Sequence, residues 1–202
     1  MYCILVAGVP ASGKSTMAAY LAKQLGLPMF SKDRIKEQLF DDLGFRSRDE
    51  KNRLGVAAMN IQYIAAEQLM EQGMPFILEN NFEHISKDGL MRLLEKYHYT
   101  AITVMMAGEM QAIYQRFLAR DKSPERHRGH VVNTCYPEPE GQQSEVPIMT
   151  YEDFAQRFHQ RGMDTFRANG PIITVDATDI AHVDREALIL QLQEIIAALK
   201  EG

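Results

Sequence analysis

At 202 residues, 46% hydrophobic and 24% charged, the chain has the profile of a soluble globular protein and not of a disordered, collagenous or coiled-coil one. Lys and Arg number 22 against 27 Asp and Glu, a net charge of −5, which argues against a generally basic nucleic-acid binder and leaves a local basic patch open. Two cysteines, Cys3 in an apolar run and Cys135 in polar surroundings, do not make a disulfide framework. No apolar stretch reaches the roughly 18 residues of a membrane span. The apolar start lacks a basic leader, so the expectation is a cytoplasmic chain with no membrane partner.

The chain opens on Tyr2-Cys3-Ile4-Leu5-Val6-Ala7, a continuous apolar run that reads as a strand buried on both faces. A helical pattern follows over residues 14–25, with Gly26 placed as its C-terminal cap. Pro28-Met29-Phe30 is a brief second strand, and residues 33–40 are helical. Leu54, Ala57, Ala58, Ile61, Ile64, Ala65 and Leu69 give a longer helix its apolar face. Gly73-Met74-Pro75 ends it and leads into a third strand, Phe76-Ile77-Leu78. Ser86 is placed to cap a helix carrying Leu90, Leu93, Leu94 and Tyr97. A fourth strand over residues 100–106 precedes a helix over about 110–120, and residues 172–175 form a fifth. Leu188, Leu192, Ile195, Ile196 and Leu199 mark the last helix.

Strands alternating with helices predict an α/β fold, a parallel sheet of about five strands with helices on both faces. Residues 122–149 show little periodicity and carry Pro124, Pro137, Pro139 and Pro147. A loop of that length is more often functional than not, so this segment reads as a lid too proline-rich to pack as core. The whole chain, 1–202, is expected to be one domain with a lid or substrate segment at 116–150.

Gly8-Val9-Pro10-Ala11-Ser12-Gly13-Lys14-Ser15 fits G-x-x-x-x-G-K-[ST] at every required position, and Thr16 extends it. Glycines let the backbone curl so that successive N–H groups point at phosphate oxygens, and the following helix adds the positive end of its dipole. Lys14 is placed to reach the β/γ-phosphates and the Ser15 hydroxyl to ligate Mg²⁺. Chance would produce such a string in roughly 1% of chains this long. Here it stands between a predicted strand and a predicted helix, the context that confirms it.

At these residues the sequence resembles the P-loop kinases. Within them, Gly-Val-Pro-Ala-Ser-Gly-Lys-Ser-Thr is similar to the branch containing zeta toxins, chloramphenicol phosphotransferase and polynucleotide 5′-kinases. The resemblance extends to Ser31-Lys32-Asp33-Arg34-Ile35, to Ile77-Leu78-Glu79 and to the basic segment after residue 116. It implies a three-layer P-loop NTPase fold with a lid insertion, ATP and Mg²⁺ as cofactors, and Asp33 as the substrate-facing general base. It also implies adenine over guanine, with the base near residues 175–179.

Arg34, next to Asp33, could hold an anionic group of the acceptor. Glu79 ends a buried strand, where an acid is costly unless paired, hydrated or metal-bound. The resemblance puts the Walker-B carboxylate there, so Glu79 is a candidate for metal or substrate contact, although the common residue is Asp. Asn80 and Asn81 follow at the C-terminal rim of the sheet, where ligands of open α/β sheets bind.

Between residues 116 and 130, Arg116, Arg120, Lys122, Arg126 and Arg128 stand against Asp121 and Glu125. Arg126-His127-Arg128-Gly129 resembles the lid arginines of the related kinases. Guanidinium groups neutralise the charge that the transferring phosphoryl spreads over its oxygens. Arg120 and Arg126 are the first candidates, then Arg128. A zinc site on His127, His130 and Cys135 matches no zinc spacing. The methionines read as core fillers.

The leading expectation is an ATP-dependent kinase of a hydroxyl on a small-molecule acceptor. A polynucleotide 5′-kinase, a nucleotide-sugar kinase and a non-catalytic nucleotide switch are the alternatives. Nucleic acid is disfavoured because the chain has one basic cluster where a backbone-tracking groove would be broadly basic.

Overall fold

The structure, a computed structural model, describes residues 1–201. In chain order it runs β1 (Tyr2–Gly8), α1 (Lys14–Leu25), β2 (Met29–Ser31), α2 (Lys32–Leu43), α3 (Arg48–Glu71), β3 (Ile77–Glu79) and α4 (His84–Lys96). It continues with β4 (Thr100–Ala107), α5 (Met110–Asp121), α6 (Arg128–Val131), α7 (Tyr151–Gln160), β5 (Ile172–Asp176) and α8 (Arg185–Glu201). The strands form one parallel sheet in the order β2-β3-β1-β4-β5. This is the expected α/β fold, with helices on both faces of a five-stranded parallel sheet.

The period-2 alternation of β1 explains the layers. Cys3, Leu5 and Ala7 face one side, packed with Met59, Tyr63 and Ala66 of α3 and Leu90 and Leu94 of α4. Ile4 and Val6 face the other, against Met17 and Leu21 of α1 and Leu188 and Leu192 of α8. A strand covered on both faces must be apolar throughout, which is why β1 shows no polar alternation. Parallel pairing aligns the C-terminal ends of the strands: Val6 is opposite Glu79, and Glu79 is opposite Ser31. Three chemically useful termini thereby meet at one rim.

Four expectations are corrected. The buried face of α3 is Lys51, Ala58, Met59, Gln62, Tyr63, Ala66 and Met70, whereas Ile61 and Ile64 are exposed, Ile64 by 57%. Polar side chains occupy the inward stripe because each finds buried partners there, so hydrophobic spacing alone rotated the helix. Ser86 lies inside the first turn of α4, where its hydroxyl donates to the Glu83 carbonyl; Glu83 holds the cap position. The segment at 122–149 packs in part: Val131 and Val132 join Phe40 and Phe45 in a small core, and Phe45 pairs with Tyr136 as an isolated antiparallel bridge, whereas most of residues 137–149 are exposed. Finally, α7 was not expected. Thr150 caps it by accepting from the Asp153 N–H, and Phe154 and Phe158, one turn apart, pack on Ile113 and Tyr114 of α5. That cap and that spacing were the available signal.

Candidate active site

The loop between β1 and α1 curls as the glycines require. Gly8 has φ +139°, and a Cβ there would lie 2.5 Å from the Met106 carbonyl oxygen. Gly13 has φ +89° and is the N-cap of α1, and its Cβ would lie 2.9 Å from Ile180. No side chain caps α1 and no acid sits in its first turn, so the N–H groups that every helix start leaves unpaired remain available to an anion. The Lys14 ammonium is 6% exposed and donates to the Val9 carbonyl at 2.9 Å, which holds it across the loop. Burial lowers its pKa, and Glu79 and Asp33 oppose that shift.

The carboxylate of Glu79 is 2% exposed at the end of β3. Burial raises its pKa against the pull of Lys14. It accepts hydrogen bonds from Ser31 Oγ at 2.5 Å and Ser15 Oγ at 3.3 Å. A hydroxyl and a carboxylate in contact, beside a phosphate loop, are the hard oxygen donors that suit Mg²⁺, which takes one or two protein oxygens and fills its shell with phosphate and water. Among the described residues no cluster of three or more His, Cys, Asp or Glu forms a cage. The donor set therefore fits a nucleotide-carried ion.

Gln62 is fully buried and went unnoticed in the sequence. Its amide donates to the carbonyls of Phe30 at 2.8 Å and Glu79 at 2.9 Å, tying together the ends of β2 and β3. Its Oε1 accepts from Asn80 at 3.5 Å. Asn80 is buried in this network and does not line the cleft; Asn81 does.

Asp33 lies in the first turn of α2, but the capping belongs to Ser31, whose hydroxyl accepts from the Arg34 N–H at 3.4 Å. Among the described residues nothing hydrogen-bonds to the Asp33 carboxylate, which borders the cleft. Burial would raise its pKa. His130, Lys36, Lys14 and Arg126 outweigh this and hold it well below the usual carboxylate range. Burial lowers the pKa of His130 itself, so at neutral pH Lys36, Lys14 and Arg126 carry most of that field.

Arg120 and Arg126 also line the cleft. Arg120 bonds Asp121 at 2.9 Å. Arg126 has only loose contacts, 3.7 Å to Asp121 and 3.9 Å to Glu37, and its buried Nε has no hydrogen-bond partner. Arg116 instead braces the loop, donating to the carbonyls of Ala11, Thr178 and Ala177. It thereby joins the phosphate loop to the segment after β5, where the base was expected. Arg128 is placed elsewhere: its guanidinium pairs with Glu138 at 2.5 Å, lowering that carboxyl to about 2, and bonds the Ser144 carbonyl. His127 pairs with Asp41 at 3.0 Å and His130 with Glu37 at 2.9 Å.

These groups line one cleft of about 1660 Å³ that runs from Ala11 and Ile180 past Lys14 and Asp33 to α3 and α7. A single drug-sized ligand occupies about 300–1,000 Å³, so the cleft has room for a nucleotide and a second substrate. No curated protein matches the sequence. Among solved structures, a "putative kinase" from Chloroflexus aurantiacus j-10-fl is 28% identical with a TM-score of 0.78, over 96% of this chain and 97% of that one. A sugar kinase from Janibacter sp. HTCC2649 is 14% identical at TM-score 0.57, over 98% and 95%. A gluconokinase from Sinorhizobium meliloti 1021 is 14% identical at TM-score 0.52, over 100% and 97%. The last two share the fold alone. The family model described as an AAA domain matches residues 3–158, so the chain belongs to this family of P-loop, nucleotide-binding proteins.

Proposed function

We propose that the chain is an ATP-dependent kinase that transfers the γ-phosphoryl group to a hydroxyl of a small-molecule acceptor, as one domain whose segment 116–150 closes over the phosphates. The observation that carries this reading is that Lys14, Ser15, Glu79, Asp33, Arg120 and Arg126 all line a single cleft. The likeness to the Chloroflexus protein supports it.

In this reading the loop N–H groups and Lys14 bind the phosphates, and Arg120 and Arg126 take up the charge that grows on the equatorial oxygens. The Ser15 hydroxyl and Glu79 would hold Mg²⁺, directly or through water, and the ion would neutralise phosphate charge. Asp33 accepts the hydrogen bond of the acceptor hydroxyl and aims its oxygen at the γ-phosphorus. The new O–P bond forms as the bond to the β-phosphate oxygen breaks, and the hydroxyl proton passes to Asp33. A carboxylate with a depressed pKa is a weak base, which suits a loose transition state in which the proton leaves late.

The transfer reaction is tested with radiolabelled ATP against a panel of hydroxyl compounds, in the wild type and Lys14→Ala. Label in an acceptor, lost in the variant, supports the kinase. Nucleotide binding without transfer to any acceptor favours a switch, and label in 5′-hydroxyl oligonucleotides alone favours a polynucleotide kinase.

A further inference from the structure

The cleft is far more basic than the chain. Its lining carries eleven Lys and Arg against six Asp and Glu, in a protein whose net charge is −5. Phosphate binding accounts for Lys14, Arg120 and Arg126, and bracing of the loop for Arg116. The surplus lies at the far end, where α2, α3 and α7 meet beyond Asp33.

Arg48, in the first turn of α3, and Arg157, near the end of α7, both border the cleft there. Among the described residues neither has a hydrogen-bond or ion-pair partner, although Asp153 stands one turn before Arg157 on the same helix. The neighbouring Arg161 shows the contrast, because its guanidinium is taken by Glu83. Burial lowers the pKa of Arg157, and the like charges of Arg161 and Arg48 add to the fall while Glu83 opposes it. Lys36 adds a third cation on the Asp33 side, packed over the Phe40 ring at 5.2 Å.

Arg48 and Arg157 stand exposed at the rim of this concave site, where an oxyanion bridging them would gain forked hydrogen bonds from guanidinium groups that have no ion pair of their own. A helix start is itself poor ground for a cation, yet Arg48 occupies one. Beside these groups the wall is apolar: Val56 and Ile85 border the same cleft and are 40% and 62% exposed.

Resting on the kinase reading above, we infer that the acceptor is a small molecule bearing an oxyanion, a carboxylate or a phosphate ester, in addition to its reactive hydroxyl, and that Arg48 and Arg157 bind that group. Asp33 then lies between the two ends of the cleft. The anion is anchored distally and the hydroxyl is presented to the γ-phosphate.

Glycerate, glycerol 3-phosphate, glycerol and a 5′-hydroxyl oligonucleotide serve as probes at constant ionic strength, with ATP saturating. Transfer to glycerate or glycerol 3-phosphate should exceed transfer to glycerol, and the comparison separates carboxylate from phosphate. Arg48→Gln and Arg157→Gln should each raise KM for the anionic acceptor about tenfold or more, with KM for ATP within twofold of wild type. In a second arm, a non-hydrolysable ATP analogue fills the loop. Phenylglyoxal modification of Arg48 and Arg157, read by mass spectrometry, should then be slowed by an anionic probe and not by glycerol. Preference for glycerol, unchanged KM in both variants, or no protection by either anion would overturn the inference and leave the kinase standing. Selective use of the oligonucleotide, with a steep salt dependence, would overturn it in favour of a polyanion. If Lys14→Ala transfers label as well as wild type, the kinase reading itself has failed.

Discussion

Replacing Asp33 by Asn separates a catalytic carboxylate from a helix-starting one. The variant keeps shape and leaves the cap intact, because Ser31 and not Asp33 accepts from the Arg34 N–H. Loss of a general base lowers turnover by about 10²–10⁴. Here the smaller figure is expected, since the surrounding cations hold the Asp33 pKa well below normal and a weaker base contributes less proton affinity. A hundredfold loss corresponds to about 2.7 kcal/mol of barrier. Asn can still orient the hydroxyl, which further limits the effect. ATP affinity should be unchanged or slightly tighter, because a negative charge near Lys14 has been removed.

The same substitution has a second, independent signature. A carboxyl whose pKa is depressed in the fold stabilises the folded chain above its unfolded pKa of about 3.9, and that stability is lost as pH falls through the folded value. Asp33→Asn should therefore be less stable than wild type at pH 7 and converge with it in acid. Single-turnover transfer with a saturating acceptor, calorimetric ATP binding and urea melts at pH 7 and below pH 3 make the three measurements. Turnover within twofold of wild type would reduce Asp33 to a structural residue. Equal losses of ATP affinity and turnover would show that it acts on the nucleotide and not on the acceptor.

Lys14→Ala should weaken ATP binding and abolish turnover, measured by calorimetry and single-turnover assay, because no other ammonium reaches the centre of the loop. Arg126→Gln should lower turnover by more than it lowers ATP affinity, whereas Arg128→Gln, whose partner is Glu138, should alter transfer severalfold at most; equal effects would refute the division between them. Gln62→Leu leaves two buried carbonyls without their donor, at about 1–3 kcal/mol each, and should appear as a lowered urea midpoint. Burial brings the Lys36 pKa down to about 8, with Asp33 and Glu83 opposing the fall and Lys32 and Arg161 adding to it. Lys36 is therefore protonated below about pH 8, and KM for an anionic acceptor should rise as pH passes through that value; a flat profile would remove Lys36 from acceptor binding.

What the sequence disclosed and what it withheld follow from where the information is stored. The phosphate loop is contiguous, each of its positions is constrained by backbone geometry, and it could be read directly. The central strands β1 and β4 were legible because burial on both faces leaves an unbroken apolar run. The orientation of α3 was not, because Lys51 and Gln62 point inward to partners that are distant in sequence: the Lys51 ammonium donates to the His130 and Val132 carbonyls and to Asn133. A polar residue with buried partners looks, in one dimension, like a surface residue. Arg126 and Arg128 present the same difficulty. They are two residues apart in one basic run, and only the position of Glu138 and Ser144 turns one of them away from the cleft.

These long-range contacts also bear on how the two ends of the cleft are related. The segment after α5 is fastened to α2 and α3 over residues 127–136, while Met149 near its end packs with the cluster of Val9, Ile113 and Tyr114. Lys51 of α3 holds its carbonyls, Glu37 of α2 holds His130, Asp41 of α2 holds His127 and Tyr136, and Phe45 pairs with Tyr136. The same segment carries Arg126, which reaches back between Asp121 and Glu37 toward the phosphates. A displacement of α2 or α3 would therefore be transmitted toward Arg126 through these polar contacts, of which the bond from Lys51 to the Val132 carbonyl is buried and costly to lose. The small core around Phe40 and Val132 adds apolar packing to that joint. Part of the segment that sequence patterning presents as a loop thus packs, around Phe40 and Val132, on the helices that carry Lys36 and Arg48.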